Sequence, residues 1–395
     1  MKIMDVVQEK VMRCLKVAES ELFHPETNLF YDYRTSLDHE HRFDHLPTPE
    51  DIAACQPNPC SWRSGQEDCA INGGVALDMY IHAGNAEMAS KVFRGLELCG
   101  RISGVPGFLA RSVSPRDGKS FYPESSRDQY THYVCSLRNY FHSELPTVRE
   151  KESIIKLLSD AALFCEKYVT PENNWMLPRA DFAAGQSSVC KMWETNPHEI
   201  ARLPMIYAAA WSVTGDEHFL KCFNSCAGIA AERSMLLRPQ GYNNCYALMQ
   251  MMFSCRLIYD VAPDARLKEQ YKEVMSLIDE YLSFNILRAG IENNKADYSA
   301  PMVDWHDIRQ GTIMPDCRYV LPLKPEKHEH AFKTLRECSE GMLTALMHPE
   351  PNITALRKRI FRTVLNSFEP ETHYSYAILY FPAVWYLARK LNIEL

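Results

Sequence analysis

Apolar residues recur at i, i+3, i+4 and i+7 over most of this chain, and strand-like alternation is scarce. The pattern predicts twelve helices, at 4–23, 67–83, 86–101, 125–143, 148–168, 197–213, 216–235, 242–260, 264–284, 328–347, 352–368 and 373–391. The links between them alternate in length. Short ones such as Ala83-Gly84-Asn85, Thr214-Gly215-Asp216 and Ala262-Pro263-Asp264 carry turn and capping residues, and short links make antiparallel helix pairs. The other links are mostly long, 24–66, 102–124, 169–196 and 285–327, with a shorter one near 236–241, and all then gather at one end of the pairs. Helices beginning near Glu67, Ser125, Pro197, Tyr242, His328 and His373 form an inner ring. Those beginning near Ala86, Thr147, Asp216, Asp264 and Asn352 form an outer ring, which the N-terminal helix completes as partner of the last inner helix. The expected fold is all-α, an (α/α)6 toroid of six helical hairpins in a single domain, 1–395. An open α-solenoid is the alternative. The inner helices are rich in small residues and poor in charge, as in Cys69-Ala70-Ile71-Asn72-Gly73-Gly74, which suits burial on several sides.

Composition narrows the function. The chain has 395 residues, 46% hydrophobic, with a formal charge of −7 and no Lys/Arg tract, which argues against a nucleic-acid or anionic-membrane surface. No apolar run reaches the roughly 20 residues that span a bilayer. The N-terminal residues have no apolar segment of the kind that directs secretion. Most of the fourteen cysteines sit in apolar helical runs, among them Cys135, Cys165, Cys222, Cys226 and Cys255, and read as buried thiols in a reducing, cytoplasmic setting. Cys55 and Cys60 flank a Pro-rich loop, but nothing there completes a metal set. No cofactor or metal is expected, and oligomeric state is left open.

The chemistry should lie where the long links and the inner-helix N-termini converge. Six clusters fall there, spaced roughly one per hairpin: Trp62-Arg63 with Glu67-Asp68; Arg127-Asp128; Trp193-Glu194 with His198-Glu199; Asn243-Asn244; Asp304-Trp305-His306-Asp307; and His373-Tyr374. Carboxylates, Arg, His and Trp together suit a sugar, whose ring faces stack on aromatics and whose hydroxyls accept polar grips. Glycosidic cleavage needs a carboxylic acid of raised pKa and a second carboxylate. Asp128, Glu194, Asp68 and Asp304 are the catalytic candidates. Trp62, Arg63, Arg127, Tyr130, Trp193, His198, Asn244, Trp305, His306 and His373 are the candidates for binding an oligosaccharide substrate. Asp128 can equally serve as a first-turn partner of the helix dipole, Asn244 as a cap, and His373 as a packed helix end. The glycines of 102–124 suggest tight turns and a short hairpin over the mouth.

With Ser125-Ser126-Arg127-Asp128-Gln129 opening an inner helix, and Gly-Asn/Asp turns at Gly84 and Gly215, the chain resembles the six-hairpin glycosidase superfamily. It looks nearest to the unsaturated glucuronyl and rhamnogalacturonyl hydrolases. The resemblance implies that Asp128 is the general acid/base and Asp68 its partner. Three other readings stand beside hydrolysis. A polysaccharide lyase would draw on His306, Tyr374, Asn244 and Arg127. A sugar epimerase would draw on His198 and His306. A non-catalytic helical scaffold would present an apolar groove.

Overall fold

The computed structural model describes residues 6–185, 187–238, 244–307 and 327–395, together with the short antiparallel pair Thr312–Ile313 and Tyr319–Val320. Among the described residues there are twelve long helices: α1 Val6–Val17, α2 Cys69–Ala83, α3 Ala86–Arg101, α4 Arg127–His142, α5 Val148–Tyr168, α6 Arg202–Thr214, α7 Glu217–Ser234, α8 Cys245–Val261, α9 Ala265–Glu292, α10 Lys327–Met347, α11 Ala355–Asn366 and α12 Ala377–Lys390. The even-numbered helices pack side by side in the order α2, α4, α6, α8, α10, α12, and α12 returns to α2. That last contact closes the ring and excludes the open solenoid. The odd-numbered helices lie outside, and α1 packs on α12 as the last outer member. The fold is an (α/α)6 toroid.

The two rings differ as their sequences require. On α2 nearly every residue from Cys69 to Tyr80 is buried. On α3 only the stripe Ala89, Val92, Phe93, Gly95, Leu96 and Cys99 is buried, at helical spacing. The short links are set locally. Gly84 and Gly215 end α2 and α6 in the left-handed conformation (φ 69° and 68°). Asn85, Thr147, Asp216, Asp264 and Thr354 each cap the outer helix that follows, Thr147 in a capping box with Glu150.

Three boundaries depart from the sequence pattern. Residues 197–201 precede α6 as a hydrogen-bonded turn, with Glu199 and Ile200 donating to the Asn196 carbonyl. The helix expected at 264–284 runs on to Glu292. The 102–124 link forms no strand. Its turn at 114–120 is closed instead by the Asp117 carboxylate, which accepts from the amides of Lys119 and Ser120. Asn243 lies outside the described residues.

The N-terminal arm seals the ring at the long-link end. Phe23–His24 pairs antiparallel with Leu29–Phe30. The backbone of Asp32 then bridges two elements, its amide donating to the Gly65 carbonyl and its carbonyl accepting from Tyr376 N–H. Among the described residues no helix is long and apolar enough to cross a membrane. The thirteen described cysteines are free, and Cys317 lies outside the described residues.

Candidate active site

Every inner helix points its N-terminus, and hence its unsatisfied N–H groups, at the long-link end. The charged residues there are organised around Asp68 and Asp128. Ser126 caps α4 and places Asp128 in its first turn. Asp128 Oδ1 accepts from Arg202 Nη1 at 2.9 Å, and the same Arg202 nitrogen reaches Thr131 Oγ1 and Gln250 Oε1, both at 2.8 Å. Arg202 is buried, so its charge is balanced by Asp128 and its donors are held by neutral oxygens from α4 and α8.

Asp68 sits one residue ahead of α2. Its Oδ1 accepts from Gln129 Nε2 at 3.0 Å, and its Oδ2 takes the Tyr376 hydroxyl at 3.4 Å. Arg111 stands 3.9 Å from Oδ1 and donates to the Glu67 carbonyl. Gln129 directly follows Asp128 in the chain, so one helical turn joins the two carboxylates. Behind Asp68, the buried Asp32 carboxylate accepts the amides of Glu67 (2.6 Å) and Asp68 (3.2 Å) and the Asn72 amide (2.9 Å). It thereby supplies from the N-terminal arm the cap that α2 lacks on its own.

Three carboxyls crowd this point, and burial favours their neutral forms. Burial and then the neighbouring Asp68 push Glu67 up to about 8. Asp32 is raised well above the carboxylate range by burial, Asp68 and Glu67. Asp68 is raised by burial, with Arg111 and Arg336 pulling the other way and Asp128 adding to the rise. Protons are thus retained around Asp68, while Asp128 faces a guanidinium.

On the far side of the ring, Arg336 of α10 lies over the rings of Tyr246 (4.6 Å), Phe332 (5.1 Å) and Tyr376 (5.7 Å) and donates to Glu340 at 2.5 Å. Burial pushes Glu340 up to about 7 against the pull of Arg336. One turn below Asp128, the fully buried His132 packs its ring on Phe253 at 4.5 Å and has no hydrogen-bond partner among the described residues. Burial lowers it to about 3, so it is a neutral imidazole.

Glu340 yields a pH prediction. Its carboxyl is raised in the folded state from an ordinary 4.5 to about 7. Its contribution to stability is therefore complete below about 4.5 and is lost as pH rises towards about 7. Glu340→Gln should flatten the fall of melting temperature over that window, by at most about 1.4 kcal/mol per pH unit in stability. Parallel slopes for wild type and variant would show that the carboxyl titrates normally.

The other sequence candidates divide. Asp304, Trp305 and His306 reach the same end. Trp305 Nε1 donates to the His45 carbonyl at 2.8 Å, His45 stacks on Tyr33, and the Tyr33 hydroxyl donates to the Arg63 carbonyl. Trp305 itself is buried, however, and Asp304 is taken up by the His306 imidazole. Arg63 adopts a positive φ of 65° beside the partly exposed Trp62.

Seven expectations are corrected. Arg127 is buried in an ion pair with Glu199. Tyr130 is wholly buried and pins the 102–124 link, its hydroxyl donating to the Gly107 carbonyl (2.7 Å) and accepting from Leu109 N–H (3.1 Å). Only glycine fits position 107. Its φ is positive, and an added Cβ would collide with the Asp160 carbonyl. Glu194 lies on the outer surface, 2.9 Å from Arg233 at the end of α7, and the buried Trp193 packs beneath that arginine. Asn244 is the cap of α8, accepting from Ala247 N–H. His373 is buried, bonded to Ser375 Oγ at 2.6 Å and packed on Phe368. Its ring is held neutral by burial, at about 4. His198 is taken up by Glu199, 3.5 Å away on the periphery of α6.

Sequence reasoning did not find Asp32, Arg111, Arg202, Tyr246, Arg336, Glu340 and Tyr376. No family model matches the chain, and no curated protein matches it. Among solved structures it is similar to one described as D-mannose isomerase, over 98% of each chain, with a TM-score of 0.46 and 9% identity. A likeness at that level leaves the reaction open.

Proposed function

We propose that the chain is a carbohydrate-active enzyme that hydrolyses a glycosidic bond with Asp68 and Asp128. The observation that carries this is the contrast between the two carboxyls, linked through Gln129. One is raised by burial among other acids, and the other is paired with the buried Arg202. Glycosidic cleavage needs that asymmetry. A carboxylic acid protonates the departing oxygen, while a carboxylate activates water or attacks the anomeric carbon. In this assignment Asp68 is the acid, reprotonated from water in each turnover, and Asp128 is the anion. Arg202 holds Asp128 in place through three contacts shared with α4 and α8.

The test is product analysis on a panel of oligosaccharides and aryl glycosides. Release of a new reducing end with uptake of one water is the expected result. An unsaturated product from a uronate polymer would replace hydrolysis by elimination. A product of unchanged mass from a free monosaccharide would replace it by isomerisation.

A further inference from the structure

A second cluster of chemically competent side chains lies on the outer ring, apart from Asp68 and Asp128. Glu166 in the last turn of α5 faces His218 and Cys222 in the first turns of α7. His218 and Cys222 are four residues apart, so they lie one above the other on one helical face. The donor atoms are close together. His218 Nε2 is 2.9 Å from Glu166 Oε2, Cys222 Sγ is 3.8 Å from Glu166 Oε1, and Sγ is 3.9 Å from His218 Nε2.

These separations approach the edges of a tetrahedron around a zinc ion. Bonds of about 2.3 Å to sulfur and about 2.0–2.1 Å to nitrogen and oxygen give edges of about 3.5 Å to sulfur and about 3.3 Å between nitrogen and oxygen. Each observed distance differs from its edge by less than about half an ångström, and since Oε2 faces the imidazole and Oε1 the thiol, a turn of the Glu166 carboxylate brings one oxygen towards both partners. The donor types fit as well, since a thiolate, an imidazole and a carboxylate together select a borderline-soft divalent ion over magnesium or calcium. The side chains of Glu166 and His218 are 41% and 49% exposed, so an ion can enter and keep a water as its fourth ligand.

We infer that Glu166, His218 and Cys222 form a site for a zinc-like divalent cation that clamps α5 to α7. A plain surface ion pair between Glu166 and His218 makes no use of the thiol, whereas a metal site requires it. On binding, the thiol gives its proton to solvent and sulfur donates to the metal, with no change in oxidation state.

The experiment uses the full chain, kept reduced with a non-chelating phosphine. Zinc chloride is titrated against a chromogenic chelator, and cobalt(II) is added separately as a spectroscopic probe. Wild type should bind one equivalent of zinc, melt at a higher temperature when loaded, and show a thiolate-to-cobalt charge-transfer band. Cys222→Ser and His218→Asn should each abolish the band and weaken zinc binding by at least about 100-fold, more than loss of an outer-shell partner costs. Cys55→Ser, which alters the other partly exposed thiol, should leave both unchanged. All three variants should melt like wild type without metal, because the altered groups lie at the surface. Absence of stoichiometric binding in wild type overturns the assignment. So does binding that survives in the Cys222→Ser, His218→Asn double variant, or that is lost in Cys55→Ser.

Discussion

Asn at position 128 is expected to lower turnover by about 10²–10⁴-fold while the protein still folds. The amide keeps the shape of the carboxylate and can still accept from Arg202, and Arg202 keeps its contacts to Thr131 and Gln250. What disappears is the negative charge that activates water or attacks carbon. Stability should fall by more than the about 1 kcal/mol of one charge at a helix N-terminus, because the buried Arg202 keeps its hydrogen bonds but loses its counter-charge. Asp68→Asn should lower turnover by a similar factor on natural oligosaccharides, but for another reason, since the lost function is proton delivery to the departing oxygen. An aryl glycoside whose phenolate leaves without a proton separates the two roles. Asp68→Asn should be nearly normal in cleaving that substrate, and Asp128→Asn should remain slow. The reverse pattern would exchange the roles of the two carboxyls. If Asp128→Asn keeps near-normal turnover and only melts lower, Asp128 is a first-turn dipole partner and the hydrolytic reading fails.

The ring of helix pairs was legible because its short links are governed by local chemistry. Each carries a left-handed glycine or a capping side chain whose preference is independent of distant contacts. The position of Asp68 and Asp128 at inner-helix starts was legible for a related reason. The start of an inner helix at the long-link end is a position that can be read from link lengths alone. What failed was orientation around the helix axis. Arg127, Asp128 and Tyr130 are neighbours in sequence, yet successive residues on a helix are turned by about 100°. When Asp128 faces the mouth, Arg127 and Tyr130 must face other elements, and they meet Glu199 and the Gly107 carbonyl. Treating the cluster as one unit assigned three residues to a site that admits one. The groups missed share another property. Arg202 meets Asp128 across the ring, and Arg336 with Glu340 reads in sequence as an ordinary i, i+4 pair on a solvated face. Only closure of the ring turns that pair inward and raises the Glu340 carboxyl. Asp32 lies in a long link without periodicity, and its role as the cap of α2 depends on a contact that no local pattern encodes.

Removing the Arg127 side chain should damage the fold severely. The guanidinium and Glu199 are both buried, and Glu199 is further held by Thr195 Oγ1 at 2.6 Å and Asn196 Nδ2 at 3.0 Å. Burial opposes the charge on Glu199. The His198 hydrogen bond and the charge of Arg127 outweigh it and hold the carboxyl well below the usual carboxylate range. Its stabilising contribution is therefore present above the ordinary value near 4.5 and disappears in acid. Arg127→Met strands a buried carboxylate, which typically costs about 3–5 kcal/mol, whereas replacing both partners with apolar groups is often nearly neutral. Arg127→Met should therefore lower the melting temperature by several degrees at pH 7 and by less at acidic pH. The Arg127→Met, Glu199→Leu double variant should recover most of the loss, giving a large coupling energy between the two sites. The Michaelis constant of the folded fraction should stay near wild type, because Arg127 is engaged by Glu199 and the Lys191 carbonyl. A variant that melts normally but binds substrate weakly would return Arg127 to the ligand and place the ion pair among those that contribute little.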